Sequence, residues 1–241
     1  RSQDYAALKT HYRPSHADLT AVRKFGGFND PRGGGHFSGR ITLGLVAAGV
    51  VAKKMLGERV RFSTQIVEIG GCTDPARFDD LLRETAAAKD SVGGIVECRA
   101  EGVMPAVGEP FFDSTESLIA HLLFSVPAVK GVEFGSGFAA ARMRGSEHND
   151  PIVDASGLTA TNHAGGIVGG LTNGNPLVVR AAVKPTASIA REQKTYNLAT
   201  DRMEPLEIRG RHDVCIALRA AVVVEAAVAI ALEDLLLRCR A

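Results

Sequence analysis

The densest chemistry in the chain lies between Arg32 and Arg40, which read Arg-Gly-Gly-Gly-His-Phe-Ser-Gly-Arg and run into the apolar segment Ile41 to Leu56. Glycines allow backbone conformations that other residues resist, and the first turn of a helix leaves unpaired N–H groups pointing outward. A junction of this kind holds anions. Ser38 is placed to cap the helix, and Arg32, Arg40 and His36 add positive charge where a phosphate or carboxylate would sit. The same residues are compatible with a solvent-exposed glycine turn ahead of a buried helix.

Two further stretches carry reactive groups. In Arg13-Pro-Ser-His-Ala-Asp18, Pro14 ends the preceding segment and Ser15 is expected to cap a short helix towards Lys24, with His16 in its first turn. A histidine there lies near the positive end of the helix dipole, which suits it to proton exchange; the alternative is an ordinary surface histidine. Lys184-Pro-Thr-Ala-Ser188 sets hydroxyls beside a lysine, and Gly210-Arg-His-Asp213 precedes the last long helix.

The elements that must position these groups are legible from periodicity. Ile41 to Leu56 is apolar almost all round and predicts a buried helix. Glu58 to Ile69 reads as a strand whose alternation shifts near Ile66 and Val67, the mark of a bulge or of burial on both faces. Asp74 or Asp79 opens an amphipathic helix to Lys89, Val92 to Glu101 is a strand, and Ser114 to Phe124 is a helix in which His121 reads as a packing residue. Val126 to Phe134 and Leu177 to Val183 are strands, with a polar loop from Gly135 to Asp150. Glycines 165, 166, 169, 170 and 174 predict close backbone approach. Thr195 to Leu198 and Met203 to Ile208 pair as a hairpin. Ala217 to Leu237 is a long apolar helix in which Glu225 requires partners.

Composition narrows the function. Lys+Arg 28 against Asp+Glu 27 leaves a net charge of +1, so no global basic field draws the chain to nucleic acid. The cysteines, Cys72, Cys98, Cys215 and Cys239, have no metal-type spacing and predict reduced thiols of a cytoplasmic protein. No metal site and no membrane span are expected. The chain does not begin with Met, and an N-terminal portion is expected to precede Arg1.

Taken together, Arg13-Pro-Ser-His-Ala-Asp18, Arg32-Gly-Gly-Gly through Ser38-Gly-Arg40, Asp90-Ser-Val-Gly-Gly-Ile-Val96, Pro127-Ala-Val-Lys-Gly-Val-Glu133, Gly165-Gly-Ile-Val-Gly-Gly170, Lys184-Pro-Thr186 and Gly210-Arg-His-Asp213 resemble the chorismate synthase family, in its order and across essentially the whole chain. The resemblance implies an α+β fold, a β-α-β sandwich with long buried helices between antiparallel sheets. It implies a single domain spanning the C-terminal two thirds or so of a family member. The implied activity is that of a lyase of aromatic amino-acid biosynthesis. It makes chorismate from 5-enolpyruvylshikimate 3-phosphate by anti 1,4-elimination of phosphate, with reduced FMN required and NADPH as reductant in some members. A cytoplasmic homotetramer is implied, with no nucleic-acid or membrane partner. The rival is a non-catalytic flavin-binding or scaffold relative.

Carried over residue by residue, the resemblance gives FMN to His36, Phe37, Ser38, Pro127, Ala128, Gly169, Lys184, Pro185, Thr186, Ala187, Ser188 and Arg211. It gives the substrate to Ser38, Gly39, Arg40 and Arg211, and proton transfer to His16 and Asp213. The chain departs from the family at His36-Phe37-Ser38, where Arg-Ser-Ser or Arg-Ala-Ser is common, and at Val214, where proline is common. The family's N-terminal segment, with its second catalytic histidine, is not in the sequence.

Overall fold

The computed structural model describes residues 7–32, 34–208, 210 and 212–239. Its centre is a four-stranded antiparallel sheet in the order β1-β2-β6-β3, formed by β1 (Arg61–Ile69), β2 (Gly94–Glu101), β3 (Val129–Phe134) and β6 (Leu177–Val183). The bulge expected in β1 is present: pairing steps from Ile66 opposite Val96 to Glu68 opposite Ile95, leaving Val67 as the extra residue. Alternation then sorts the two faces. Val96, Cys98 and Ala100 join Leu177, Val179, Ala181 and Val183 in the core, while Glu97 and Arg180 stand on the other face as an ion pair of 2.7 Å.

Helices cover the core face. The chain contributes α1 (Asp18–Lys24), α2 (Leu43–Leu56), α3 (Phe78–Ala87), α4 (Thr115–Ser125), the short α5 (Gly145–His148) and α6 (Ala217–Cys239). Ser114 caps α4 by accepting from Ser117 N–H. The small residues of α6 let α2 approach closely: a Cβ on Gly49 would lie 2.7 Å from Ala226 Cα. Glu225 finds the partners its burial demands, Lys53 Nζ at 2.6 Å and Thr64 Oγ1 at 2.8 Å.

Three expectations change. The apolar segment is not one helix buried all round: Gly39–Thr42 is a 3-10 turn, and only Gly49, Ala52 and Leu56 of α2 are buried, while Leu43, Val50, Val51 and Met55 are exposed. Apolar composition made that surface, but among the described residues α6 covers only one stripe of it. His121 is exposed, because the buried stripe of α4 runs through Thr115, Ile119 and Leu123 and passes it by. The segment from Gly135 to Asp150 is a loop containing two short helices, Gly137–Arg142 and α5.

Two hairpins complete the fold, β4 (Ile167–Val168) with β5 (Leu171–Thr172), and β7 (Gln193–Asn197) with β8 (Arg202–Leu206). The second carries the N-terminal segment. Leu198 N–H donates to Thr10 O at 3.0 Å, His11 bridges to Asn197, and Leu8 packs with Leu206 and Ile208. The four cysteines are free, and no helix among the described residues is long and apolar enough to cross a membrane.

Candidate functional site

The β7–β8 hairpin delivers the chain to a turn at Pro14 and Ser15, whose φ of 56° is left-handed. His16 therefore stands outside α1, two residues before its first residue, and not in a helical turn capped by Ser15 as the spacing predicts; α1 has no side-chain cap. Its charged neighbour is Asp18, whose Oδ1 lies 2.7 Å from His16 Nδ1. Arg13, only 7% exposed, forks onto the same carboxylate, Nε donating to Oδ2 at 2.8 Å and Nη2 to Oδ1 at 2.7 Å. Burial disfavours the ionised Asp18, but hydrogen bonds and charge from Arg13 and His16 outweigh it and hold the carboxyl well below the usual range.

Arg13 also reaches across the molecule, its Nη1 donating to Ser188 Oγ at 3.2 Å. This is where β6 ends, since Pro185 has no N–H to continue the ladder. Lys184 N–H donates to Ala128 O at 2.9 Å, and Lys184 Nζ donates to Ser15 O at 2.6 Å. Thr186 Oγ1 donates to Asp213 O at 2.7 Å and Thr186 O accepts from Ser91 Oγ at 2.8 Å. Gly93 is required beside them, because a Cβ there would lie 2.6 Å from Val183 O. Ala128 holds a φ of 77° in the turn after Pro127, a conformation that favours glycine and stores strain. The Asp213 carboxylate pairs with Arg219 at 2.8 Å.

Direct hydrogen bonds therefore join the neighbourhoods of His16, Ala128, Lys184, Thr186, Ser188 and Asp213, with Pro127, Pro185 and Ala187 in the same turns. A cavity of about 670 Å³ opens beside His16, lined also by Asp18, Phe25, Asn29, His36 and Phe37. The Phe25 and Phe37 rings pack at 6.5 Å. Asn29 Oδ1 is buried and has no hydrogen-bond partner among the described residues.

Other expected site residues have no direct hydrogen bond to this network among the described residues. Ser38 does cap, accepting from Arg40 N–H at 3.2 Å, but it caps the 3-10 turn that leads into α2. Gly39 and Arg40 are exposed on that turn. Arg32 forms an exposed ion pair with Asp30 at 2.8 Å, and those bonds lower the Asp30 carboxyl to about 2. Gly169 is exposed at the tip of the β4–β5 hairpin, and no hydrogen bond joins it to Lys184–Ser188 among the described residues. Arg211 lies outside the described residues. The roles of Arg13, Asp18 and Ser91 escaped the sequence reading. Local spacing offered a signal for the first two, which flank the Pro14 turn with opposite charges.

Comparison with known proteins bears on the fold and the family. A family profile described as chorismate synthase matches residues 1–237. A chorismate synthase from Chitinophaga pinensis is 60% identical over 237 residues, covering 98% of this chain and 70% of that protein. One from Dehalococcoides mccartyi is 45% identical over 264 residues, covering 98% and 72%. A solved structure described as the crystal structure of chorismate synthase superposes with a TM-score of 0.73 at 27% identity, covering 92% of this chain and 71% of that one. With its α+β fold and a sequence match over 98% of the chain in agreement, the chain belongs to the chorismate synthase family of lyases.

Proposed function

We propose that the residues gathered around Lys184 hold reduced FMN and set 5-enolpyruvylshikimate 3-phosphate beside His16 for the anti 1,4-elimination of phosphate. The observation that carries this reading is the hydrogen-bonded continuity from Arg13, His16 and Asp18 through Lys184 and Ser188 to Thr186 and Asp213. The donor set suits such a cofactor. Lys184 spends one of its three donors on Ser15 O, which leaves two for a phosphate. The cavity beside His16, whose lining is separate from Lys184, Thr186 and Ser188, falls within the usual ligand range of roughly 300–1,000 Å³. Its orphaned Asn29 Oδ1 is an acceptor awaiting an N–H or O–H donor.

Lys184, Thr186 and Ser188 bind the cofactor, with Arg211 expected to add charge. Ser38, Gly39 and Arg40 take the substrate phosphate on the turn before α2. His16 moves a proton at its ring, and Asp213, oriented by Arg219, accepts one at its carboxylate. Bound reduced FMN supplies an electron-rich ring that assists the C–O cleavage with no net redox change. The working unit is a cytoplasmic homotetramer.

Titration of the intact protein with FMN, followed by flavin fluorescence, tests this reading. Saturable binding that tightens with substrate is expected, and Lys184→Ala is expected to weaken it at least tenfold, the scale of a lost charged hydrogen bond. Absence of any saturable change with substrate present overturns the assignment.

A further inference from the structure

We propose that Asp18 is the positioning residue for His16, fixing the imidazole as the Nδ1–H tautomer, and that Arg13 locks this pair to the cofactor turn at Ser188. The inference rests on the functional reading above and concerns two residues to which that reading gives no catalytic role.

Two groups converge on one oxygen. Asp18 Oδ1 lies 2.7 Å from Arg13 Nη2 and 2.7 Å from His16 Nδ1, while Arg13 Nη2 and His16 Nδ1 are 3.1 Å apart. The longest of these separations admits a different arrangement, in which Arg13 donates to a bare Nδ1 and His16 carries its proton on Nε2. The distances decide against it. A carboxylate oxygen accepts from two donors readily, and two donors sharing one acceptor necessarily approach each other. A bare Nδ1 would also hold its lone pair 2.7 Å from the Asp18 carboxylate oxygen, two acceptors in repulsive contact, whereas a proton on Nδ1 turns that contact into an attraction.

With the proton on Nδ1, facing the Asp18 carboxylate, the lone pair of the neutral ring resides on Nε2, which has no hydrogen bond among the described residues. His16 lines the cavity, and on this tautomer Nε2 is the ring atom left to take a proton. A carboxylate on the far nitrogen of a catalytic histidine fixes both tautomer and orientation. Asp18 is only 12% exposed at its side chain, and Arg13 completes its coordination through Nε and the backbone N–H, at 2.8 and 3.1 Å. The remaining guanidinium arm, on Ser188 Oγ, ties the histidine's turn to the turn that holds the cofactor. His16 and the cofactor turn are thereby held in one frame, although 172 positions separate His16 from Ser188 in sequence.

The test uses the intact protein labelled with ¹⁵N-histidine, the His16 signals being those lost in His16→Asn. The neutral Nδ1–H tautomer is expected for His16, and an Nε2–H tautomer overturns the proposal whether or not any variant folds. Asp18→Asn is expected to lower kcat about 100-fold, the scale of a misplaced acid–base group, and to change FMN affinity less than about threefold. A kcat within twofold of the parent overturns the proposal as well. Failure of the parent protein to bind FMN would instead strike the functional reading, so the two failures are separable.

Discussion

Replacing Gly49 by alanine sets two effects of opposite sign against each other. In an exposed helix interior the change would stabilise by about 1 kcal/mol through helix propensity. In α2 the new Cβ would stand 2.7 Å from Ala226 Cα, 3.3 Å from Ala226 O and closer still to Ala226 Cβ. None of these atoms moves with a rotamer change. Carbon atoms rest at about 3.5–4.0 Å, so α2 and α6 would have to part by roughly 1 Å. Overpacking of this kind costs about 1–3 kcal/mol, and here it also stretches the Lys53–Glu225 bridge across the same pair of helices. Gly49→Ala is therefore expected to lose about 1–2 kcal/mol net, read as a lower urea midpoint with an unchanged slope. Gly49→Ala with Ala226→Gly is expected to recover only part, since the new methyl still meets the α6 backbone and α6 gains a glycine. A single variant as stable as the parent would refute the close approach of the two helices.

The C-terminal helix holds a second test: both carboxylate oxygens of Glu233 are buried without a hydrogen-bond partner among the described residues, in a residue 4% exposed. Glu233→Met removes the unsatisfied group at similar volume and is expected to stabilise by about 1–3 kcal/mol, whereas a lower urea midpoint would show that the carboxylate has a stabilising role. Acid titration bears on Asp18, whose carboxyl is lowered in the fold from an ordinary value of 3.8. Its pairing contributes stability above that value and loses it as pH falls through the folded value. Asp18→Asn should therefore flatten the acid limb of a stability–pH curve, and an unchanged limb counts against the pairing.

Much of the scaffold follows from local pattern. Leu177–Val183, the β1 bulge, the β7–β8 hairpin and the span of α6 need only alternation, helical period and turn residues. Glu225 announced its need of a partner because a charge in an apolar helix is costly wherever the helix packs. The partners themselves, Lys53 and Thr64, lie 172 and 161 positions away and belong to the tertiary fold. The same holds at the site. Motif order marked His16, Lys184, Thr186, Ser188 and Asp213, yet which atoms meet depends on how the β7–β8 hairpin carries the N-terminal turn to the end of β6. Hence Arg13 meets Ser188 and Lys184 meets Ser15 O, whereas the pairings of His16 with Asp18 and of Arg32 with Asp30 lie between near neighbours in sequence. Sequence determines which surfaces are apolar and which groups are reactive, because these are properties of single residues and short periods. Which surface is covered, as for the open face of α2, and which distant partner a polar group meets, as Glu225 meets Lys53 and Arg13 meets Ser188, are set by chain segments brought together from far apart.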